Sequence, residues 1–304
     1  MDYSAMQAEL RELAREKDAV VLAHNYQRAE VQDAADYVGD SLGLSRQAAA
    51  SDARIILFCG VDFMAETAAI LAPDRKVILP ESRARCPMAA MVDPVGLAEL
   101  KARHPGAVVV SYVNTSAAVK ALSDICCTSA NAPEVVASIP AEREIIFTPD
   151  CNLGAWVAEM TGRNLILWQG YCPTHDLIQP EDILAAQEAH PAAKVVVHPE
   201  CRPDVTALAD AVESTSGMIR YCREEPAGEF IIGTESGMIH RLSKDVPGKR
   251  FYLATEATVC PTMKLTTLRK AVEALRAEAP VVAVPAAIRV KALAAVQRMV
   301  EIGR

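Results

Sequence analysis

A cysteine followed by proline occurs three times in this sequence of 304 residues, at nearly constant spacing. The three steps are Cys86-Pro87, Cys172-Pro173 and Cys260-Pro261, so the cysteines lie 86 and 88 residues apart. Short valine-rich segments, which are typical of buried strands, begin with a similar period at Val20, Val108 and Val195. Two independent markers with one period predict three copies of a single α/β unit rather than a local metal-binding knuckle.

Within each unit, predicted strands and helices alternate, as in strand 54–58, helix 63–71 and strand 76–79. Continuous apolar strands separated by helices predict a parallel sheet that is covered on both faces. The predicted fold class is therefore α/β, with three αβα sandwich units related by a pseudo-threefold axis around a central site. We expect the units to comprise residues 1–86 with 262–304, residues 87–172, and residues 173–261. A further strand from Val281 is expected to complete the first sheet.

The charge of the chain argues against some classes of partner. Lysine and arginine number 31 and aspartate and glutamate 39, which gives a net charge of −8 at pH 7. Without a basic cluster, neither nucleic acid nor an anionic membrane is an expected partner. The charged N-terminus does not resemble a signal peptide, so we expect a cytoplasmic protein. Nine cysteines in that compartment suit metal ligation and buried thiols better than a disulfide framework.

Polar residues follow the first strand of each unit, where ligands of parallel α/β sheets bind. A hydroxyl residue then comes 17 residues after the first of them in every unit and precedes a potential helix. The tip residues are His24 and Tyr26, Tyr112 and Asn114, and His198 and Glu200; the hydroxyl residues are Ser41, Ser129 and Thr215. A hydroxyl beside free amides at a helix start predicts an anion site, with simple helix capping as the alternative.

His198 and Glu200 are a base and a carboxylate two residues apart at one strand tip, so both can reach a cavity and act on protons. Three thiolates without an obvious fourth suit a [4Fe–4S] cluster that leaves one iron open, because such clusters normally take four cysteines. A structural Cys₃His zinc site is the metal alternative, and three buried core cysteines are the non-functional one. The other six cysteines lack the proline context and are expected to be packing residues.

At this level of detail the sequence resembles the quinolinate synthase family, the A proteins of de novo NAD biosynthesis, over essentially its whole length. The resemblance depends on a series of motifs distributed along the chain. They are His24-Asn25-Tyr26-Gln27, Gly39-Asp40-Ser41-Leu42, Phe63-Met64-Ala65-Glu66-Thr67, Ser111-Tyr112-Val113-Asn114-Thr115-Ser116, Cys127-Thr128-Ser129-Ala130-Asn131-Ala132, Asn152-Leu153-Gly154, Gly170-Tyr171-Cys172-Pro173-Thr174-His175, His198-Pro199-Glu200-Cys201, Gly233-Thr234-Glu235-Ser236-Gly237 and Met263-Lys264-Leu265.

The resemblance implies three αβα sandwiches in a triangle around an oxygen-sensitive [4Fe–4S] cluster. It implies condensation of iminoaspartate with dihydroxyacetone phosphate to quinolinate, phosphate and water. The ligands would be Cys86, Cys172 and Cys260, and His175 would lie near the cluster. Substrate would be held by His24, Ser41, Tyr112, Asn114, Ser129, His198, Glu200 and Thr215, with Tyr26, Tyr112, His198 and Glu200 as catalytic residues.

Three further expectations concern partners and alternatives. L-aspartate oxidase, which makes the unstable imine, is a partner suggested by the pathway alone. Another iron–sulfur (de)hydratase would share the Lewis-acid chemistry without needing a phosphate pocket. A non-enzymatic cluster carrier would tolerate the loss of Tyr112 and Ser129 and would expose its cluster to acceptor proteins.

Overall fold

The computed structural model describes residues 3–303. A first parallel sheet and its helices occupy the N-terminal part of that range. In chain order the elements are α1 (Ser4–Glu16), β1 (Ala19–His24), α2 (Ala29–Gln32), β2 (Tyr37–Gly39), α3 (Ser41–Ala50), β3 (Ile55–Cys59), α4 (Asp62–Leu71) and β4 (Lys76–Ile78). All five residues of β3 are buried, as expected for a strand covered on both faces.

The second sheet follows a short 3₁₀ helix at Met88–Met91. Its elements are α5 (Pro94–Arg103), β5 (Val108–Tyr112), α6 (Ala117–Lys120), β6 (Ile125–Cys127), α7 (Ala132–Ala137), β7 (Ile145–Thr148), α8 (Cys151–Thr161) and β8 (Ile166–Leu167). Asp93 accepts from the amides of Val95 and Gly96 and so caps α5, which begins with proline.

The third sheet and the closing helices complete the described chain. They are α9 (Pro173–Asp176), α10 (Pro180–Ala189), β9 (Lys194–Val197), α11 (Pro203–Thr206), β10 (Ala211–Val212), α12 (Thr215–Glu224), β11 (Glu229–Gly233), α13 (Gly237–Asp245), β12 (Arg250–Leu253), a 3₁₀ helix at Met263–Leu265, α14 (Leu268–Ala277) and α15 (Ala286–Glu301).

Residues 3–303 contain three four-stranded sheets, and all three have the same strand order. The orders are β2-β1-β3-β4, β6-β5-β7-β8 and β10-β9-β11-β12, and every pairing between these strands is parallel. The α/β fold of three similar units that the sequence predicts is therefore confirmed. Among the described residues, no helix has the length and apolar character required to cross a bilayer.

The apolar core joins the first two sheets. Phe58 of β3, Val110 of β5 and Met299 of α15 belong to one buried cluster, so α15 packs against both sheets. A separate cluster, which includes Leu10 of α1 and Leu268 of α14, covers the opposite face of the first sheet. The predicted boundaries of the three units stay a prediction.

The strand expected from Val281 does not form. The segment makes an isolated antiparallel bridge between Val281 and Ile78, and the Val282 amide donates to Val77 at 2.8 Å. Proline on both sides of the segment explains this, because Pro280 and Pro285 cannot donate to a strand ladder. The segment touches the edge of the first sheet and then enters α15.

Candidate active site

One cavity collects the predicted site residues from all three sheets. It lies at the carboxyl ends of the strands, where parallel α/β sheets bind ligands. Its walls include His24, Tyr26, Ser41, Cys86, Tyr112, Asn114, Ser129, Cys172, His198, Glu200, Thr215 and Cys260, which are all twelve of the residues selected from the sequence. The structure thus brings them together, while their individual roles stay predictions.

The three cysteines reach this cavity from equivalent loops. Cys86, Cys172 and Cys260 follow the fourth strand of their respective sheets and are half-buried free thiols. Burial raises the pKa of the Cys86 and Cys172 thiols, and the negative charges of Glu200 and of a second cysteine add to the rise. Among the described residues, no other cysteine lines the cavity. The Cys86 and Cys172 thiols therefore keep their protons until a cation stabilises their ionised form.

Glu200 is the centre of the polar network. Tyr112 donates to its Oε1 at 2.5 Å, and His175 Nδ1 lies 2.7 Å from its Oε2. Burial favours the protonated acid, but the nearby His175 and His198 imidazoles and the hydrogen bonds from His175 and Tyr112 outweigh it and lower the pKa of Glu200. Glu200 is therefore an anion that faces hydrogen-bond donors from two sheets.

A hydrogen-bonded chain links this carboxylate to a second tyrosine. Tyr26 Oη lies 2.6 Å from Thr234 Oγ1, which lies 2.8 Å from His175 Nε2. Burial and the Glu200 charge raise the pKa of both tyrosines, so Tyr26 and Tyr112 keep their protons. The path therefore runs from Tyr26 through Thr234, His175 and Glu200 to Tyr112.

Sequence reasoning missed Thr234, although its motif contributes to the family resemblance. Thr234 is separated from Tyr26 by 208 residues, and a threonine after a strand has many structural uses. Its one positional signal is that it directly follows β11, next to the central strand β9 of the third sheet. Residues after a sheet's inner strands meet at the ligand-binding edge.

Two histidines of the cavity are neutral and have a defined tautomer. The Tyr26 amide donates to His24 Nδ1 at 3.1 Å, and the Glu200 amide donates to His198 Nδ1 at 3.3 Å. Because Nδ1 accepts in each ring, the proton sits on Nε2, and that of His198 points to Ser129 Oγ at 3.2 Å. Burial lowers the pKa of both histidines to about 3.

The three hydroxyl residues do not cap their helices. Asp40 accepts from the Gly43 amide and caps α3, and Ser214 accepts from the Gly217 amide and caps α12, so Ser41 and Thr215 occupy the first helical position. Ser129 precedes the start of α7 by three residues. The capping alternative is therefore wrong. The three residues line the cavity, and the Thr215 hydroxyl accepts a hydrogen bond from Asn25 Nδ2 at 2.8 Å.

Cys172, His175 and Glu200 form a compact group with metal-ligand chemistry. Their ligand atoms lie within 4.8 Å of one another. Both ring nitrogens of His175 already have partners, since Nδ1 lies 3.1 Å from Cys172 Sγ and 2.7 Å from Glu200 while Nε2 contacts Thr234. Because these are hydrogen-bond distances, the imidazole orients Cys172 and Glu200 rather than standing free as a fourth ligand.

Comparison with known proteins agrees with this geometry. A family profile described as quinolinate synthetase A protein matches residues 8–301. A quinolinate synthase of Geotalea uraniireducens is 56% identical over 296 residues, which cover 97% of this chain and 97% of that protein. One from Desulforudis audaxviator is 56% identical over 300 residues (98% and 99%), and one from Geobacter metallireducens 54% over 304 (100% and 100%). The chain belongs to the quinolinate synthetase A protein family.

Proposed function

We propose that this chain is a quinolinate synthase of the transferase class, which condenses iminoaspartate with dihydroxyacetone phosphate to quinolinate, phosphate and water. It would do so with a [4Fe–4S] cluster held by Cys86, Cys172 and Cys260. The family membership supports the activity, and the residues of the cavity support the cofactor and the chemistry.

The observation that carries the proposal is that each sheet contributes one cysteine to the same cavity. These thiols fit a cluster with three protein ligands, because no further cysteine among the described residues faces the cavity and His175 is bonded at both nitrogens. A tetrahedral structural zinc site would need a fourth protein ligand. When bound, a cluster with one open iron would supply a Lewis acid for a substrate oxygen or nitrogen.

The chain itself would bind the anionic groups of both substrates. Asn114 and the hydroxyls of Ser41, Ser129 and Thr215 line the cavity, and α3 and α12 begin at its wall with partial positive charge. The neutral His24 can donate through Nε2. These donors suit carboxylates and phosphate even though the chain as a whole is acidic.

Proton movement would use the chain of hydrogen bonds around Glu200. The ionised Glu200 can take a proton during enolisation, while Tyr112 and His175 donate hydrogen bonds to its carboxylate. Tyr26 keeps its proton and can donate it during ring closure and dehydration. A new proton would then reach Tyr26 from His175 through Thr234. Each such acid or base typically contributes about 10²–10⁴-fold in rate.

Anaerobic purification, with iron and sulfide counts and a visible spectrum, tests the cofactor. We expect four irons and four sulfides in the wild type, and loss of the cluster when Cys86, Cys172 or Cys260 is changed to Ala. The matched control is Cys222→Ala, since Cys222 is buried beneath β11, outside the cavity. A colourless protein that holds one zinc ion would overturn the cofactor assignment.

Product formation tests the reaction. Consumption of dihydroxyacetone phosphate together with enzymatically generated imine, with quinolinate as product, is expected only from the cluster-bearing protein. Failure to consume the phosphate would favour another iron–sulfur dehydratase, and transfer of the cluster to an apo-acceptor without turnover would favour a carrier. An oxidase that makes iminoaspartate, such as L-aspartate oxidase, would be its supplier in the cytoplasm.

A further inference from the structure

An acidic side chain lies behind each of two cysteines of the proposed cluster site and accepts a hydrogen bond from the cysteine's backbone amide. The Cys86 amide donates to Asp62 Oδ1 at 3.1 Å, and the Cys260 amide donates to Glu235 Oε1 at 3.1 Å. Glu235 is fully buried, whereas Asp62 is partly buried. Neither contact is needed for regular secondary structure, because Cys86 and Cys260 lie in loops outside the helices and strands.

The second sheet has the equivalent residue. Asp150 is fully buried, accepts from the Leu153 amide at 2.8 Å, and its Oδ2 has no hydrogen-bond partner of normal geometry among the described residues. Burial and Glu200 raise the pKa of Asp150, and the backbone N–H groups of Leu153, Asn152 and Cys172 oppose the rise. The Cys172 amide makes no hydrogen bond to this carboxyl of the kind that Cys86 and Cys260 make to theirs.

The three acids occupy one position in the repeated fold. Each follows the third strand of its sheet in chain order, namely β3, β7 or β11, and lies at or just before the start of the next helix. Asp62, Asp150 and Glu235 precede the cysteines Cys86, Cys172 and Cys260 by 24, 22 and 25 residues. An acid at this position in all three units, bonded to the cysteine amide in two of them, argues that the contact belongs to the metal site rather than to one local turn.

We propose that Asp62 and Glu235 are positioning residues that fix Cys86 and Cys260 for the cluster, and that the charge of Asp62 keeps its reduction potential low. This inference depends on the proposed cluster. Amide N–H groups near a cluster often point at its sulfurs and raise its potential, as net charge and solvent exposure also can. Here the amides of Cys86 and Cys260 are bonded to carboxyls instead, so these two N–H groups do not point at sulfur and their loops are held from behind.

The balance of charge differs between the units. Lys264 Nζ lies 3.0 Å from the Glu235 carboxylate and offsets its charge. The buried Lys120 lies near Asp62, but it donates to the Val113 and Thr115 carbonyls and makes no bond to Asp62. Asp62 should therefore have the larger effect on potential, and Glu235 should act mainly through its hydrogen bond. A low potential would keep the cluster oxidised, the state in which its open iron is the stronger Lewis acid.

The test compares Asp62→Asn, Asp62→Ala, Glu235→Gln and Glu235→Ala in the cluster-bearing protein. The Asn and Gln variants keep an oxygen that can accept the amide proton, and the Ala variants do not. We measure iron and sulfide content, the rate of iron release to a chelator, and the midpoint potential. Asp93→Asn and Asp93→Ala are matched controls, since the Asp93 carboxylate also accepts hydrogen bonds from backbone amides, those of Val95 and Gly96, but none from a cysteine.

We expect the Ala variants to release iron about 10- to 100-fold faster, the usual cost of losing an outer contact to a metal ligand. Asp62→Asn should keep its iron but show a raised midpoint potential. Unchanged iron release and unchanged potential in all four variants, with folding intact by circular dichroism, would overturn the inference. If an Ala variant does not fold, the midpoint potential of Asp62→Asn tests the inference, and an unchanged potential would overturn it. A wild type without a cluster would instead contradict the proposed function.

Discussion

The phenol of Tyr112, at the end of β5, donates a hydrogen bond to Oε1 of Glu200, which follows β9 in another sheet. The two residues are 88 positions apart, so the contact exists only where two units meet. The opposite oxygen of the same carboxylate lies 2.7 Å from His175. Glu200 therefore connects groups that no single unit could bring together, and changes at this residue should affect chemistry more than folding.

Glu200→Gln should abolish most of the turnover. Glutamine keeps the size and can still accept from Tyr112, but it cannot take a proton, so we expect quinolinate formation at saturating substrate to fall by about 10²–10⁴-fold. Iron and sulfide content should stay at the wild-type level. Glu159→Gln, on the exposed side of α8, is the control. Turnover within a small factor of the wild type would remove Glu200 from the mechanism.

Ser129→Ala should weaken substrate binding. The Ser129 hydroxyl lies at the cavity wall beside His198, and a hydrogen bond to a charged group is worth about 1.5–3 kcal/mol, or roughly 10- to 100-fold in affinity. We expect KM to rise by that factor with kcat little changed. The matched control is Ser138→Ala, because the Ser138 hydroxyl donates only to the Val135 carbonyl. A fall in kcat at constant KM would contradict a binding role.

The metal-free protein should lose stability as the pH falls below about 6.5. His24 and His198 have pKa values of about 3 in the folded chain, against an ordinary value of 6.5. Between these limits the unfolded chain binds protons that the folded chain does not, so acid favours unfolding. Each histidine should lower the unfolding free energy by up to about 1.4 kcal/mol per pH unit.

Urea unfolding at a series of pH values from about 7 to 5 measures this slope. The double variant His24→Gln, His198→Gln should show a flatter dependence, because its two positions no longer differ in proton binding between the folded and unfolded states. Equal slopes for the wild type and the double variant would show that these imidazoles are not buried in neutral form.

Gly154→Ala should destabilise the second unit. A Cβ at Gly154 in α8 would lie 2.5 Å from Leu167 Cδ2 and 2.9 Å from Phe147 Cδ1, which is too close without repacking. Overpacking of this kind typically costs about 1–3 kcal/mol, despite the better helix propensity of alanine. Gly228→Ala, with nothing within 4 Å of the added carbon, is the control. Equal urea midpoints for both variants would contradict the close packing of α8 on its sheet.

Much of the fold could be predicted because the repeat leaves its mark at fixed intervals. The period of Cys86, Cys172 and Cys260 predicted similar units, and apolar strands ending in polar residues predicted the edge at which His24 and Glu200 lie. The predicted strand from Val281 was wrong because the apolar composition of the segment favours a strand, whereas the prolines on either side of it prevent regular pairing. Periodicity detects copies, but it does not show where a copy stops.

The contacts between units could not be predicted. The hydrogen bonds of Thr234 and the cysteine amides depend on how loops from different strands approach each other, and single-sequence patterns carry no such distances. The capping alternative for Ser41 and Thr215 was wrong by one position, since Asp40 and Ser214 are equally suitable capping residues and take that place.

Since each sheet supplies one cysteine and its own strand tips, the proposed chemistry is indivisible. Removing any third of the molecule would take away a sulfur ligand and part of the pocket at once. A protein whose prosthetic group sits inside one domain can be trimmed to that domain, whereas here a shortened chain would have no workable centre.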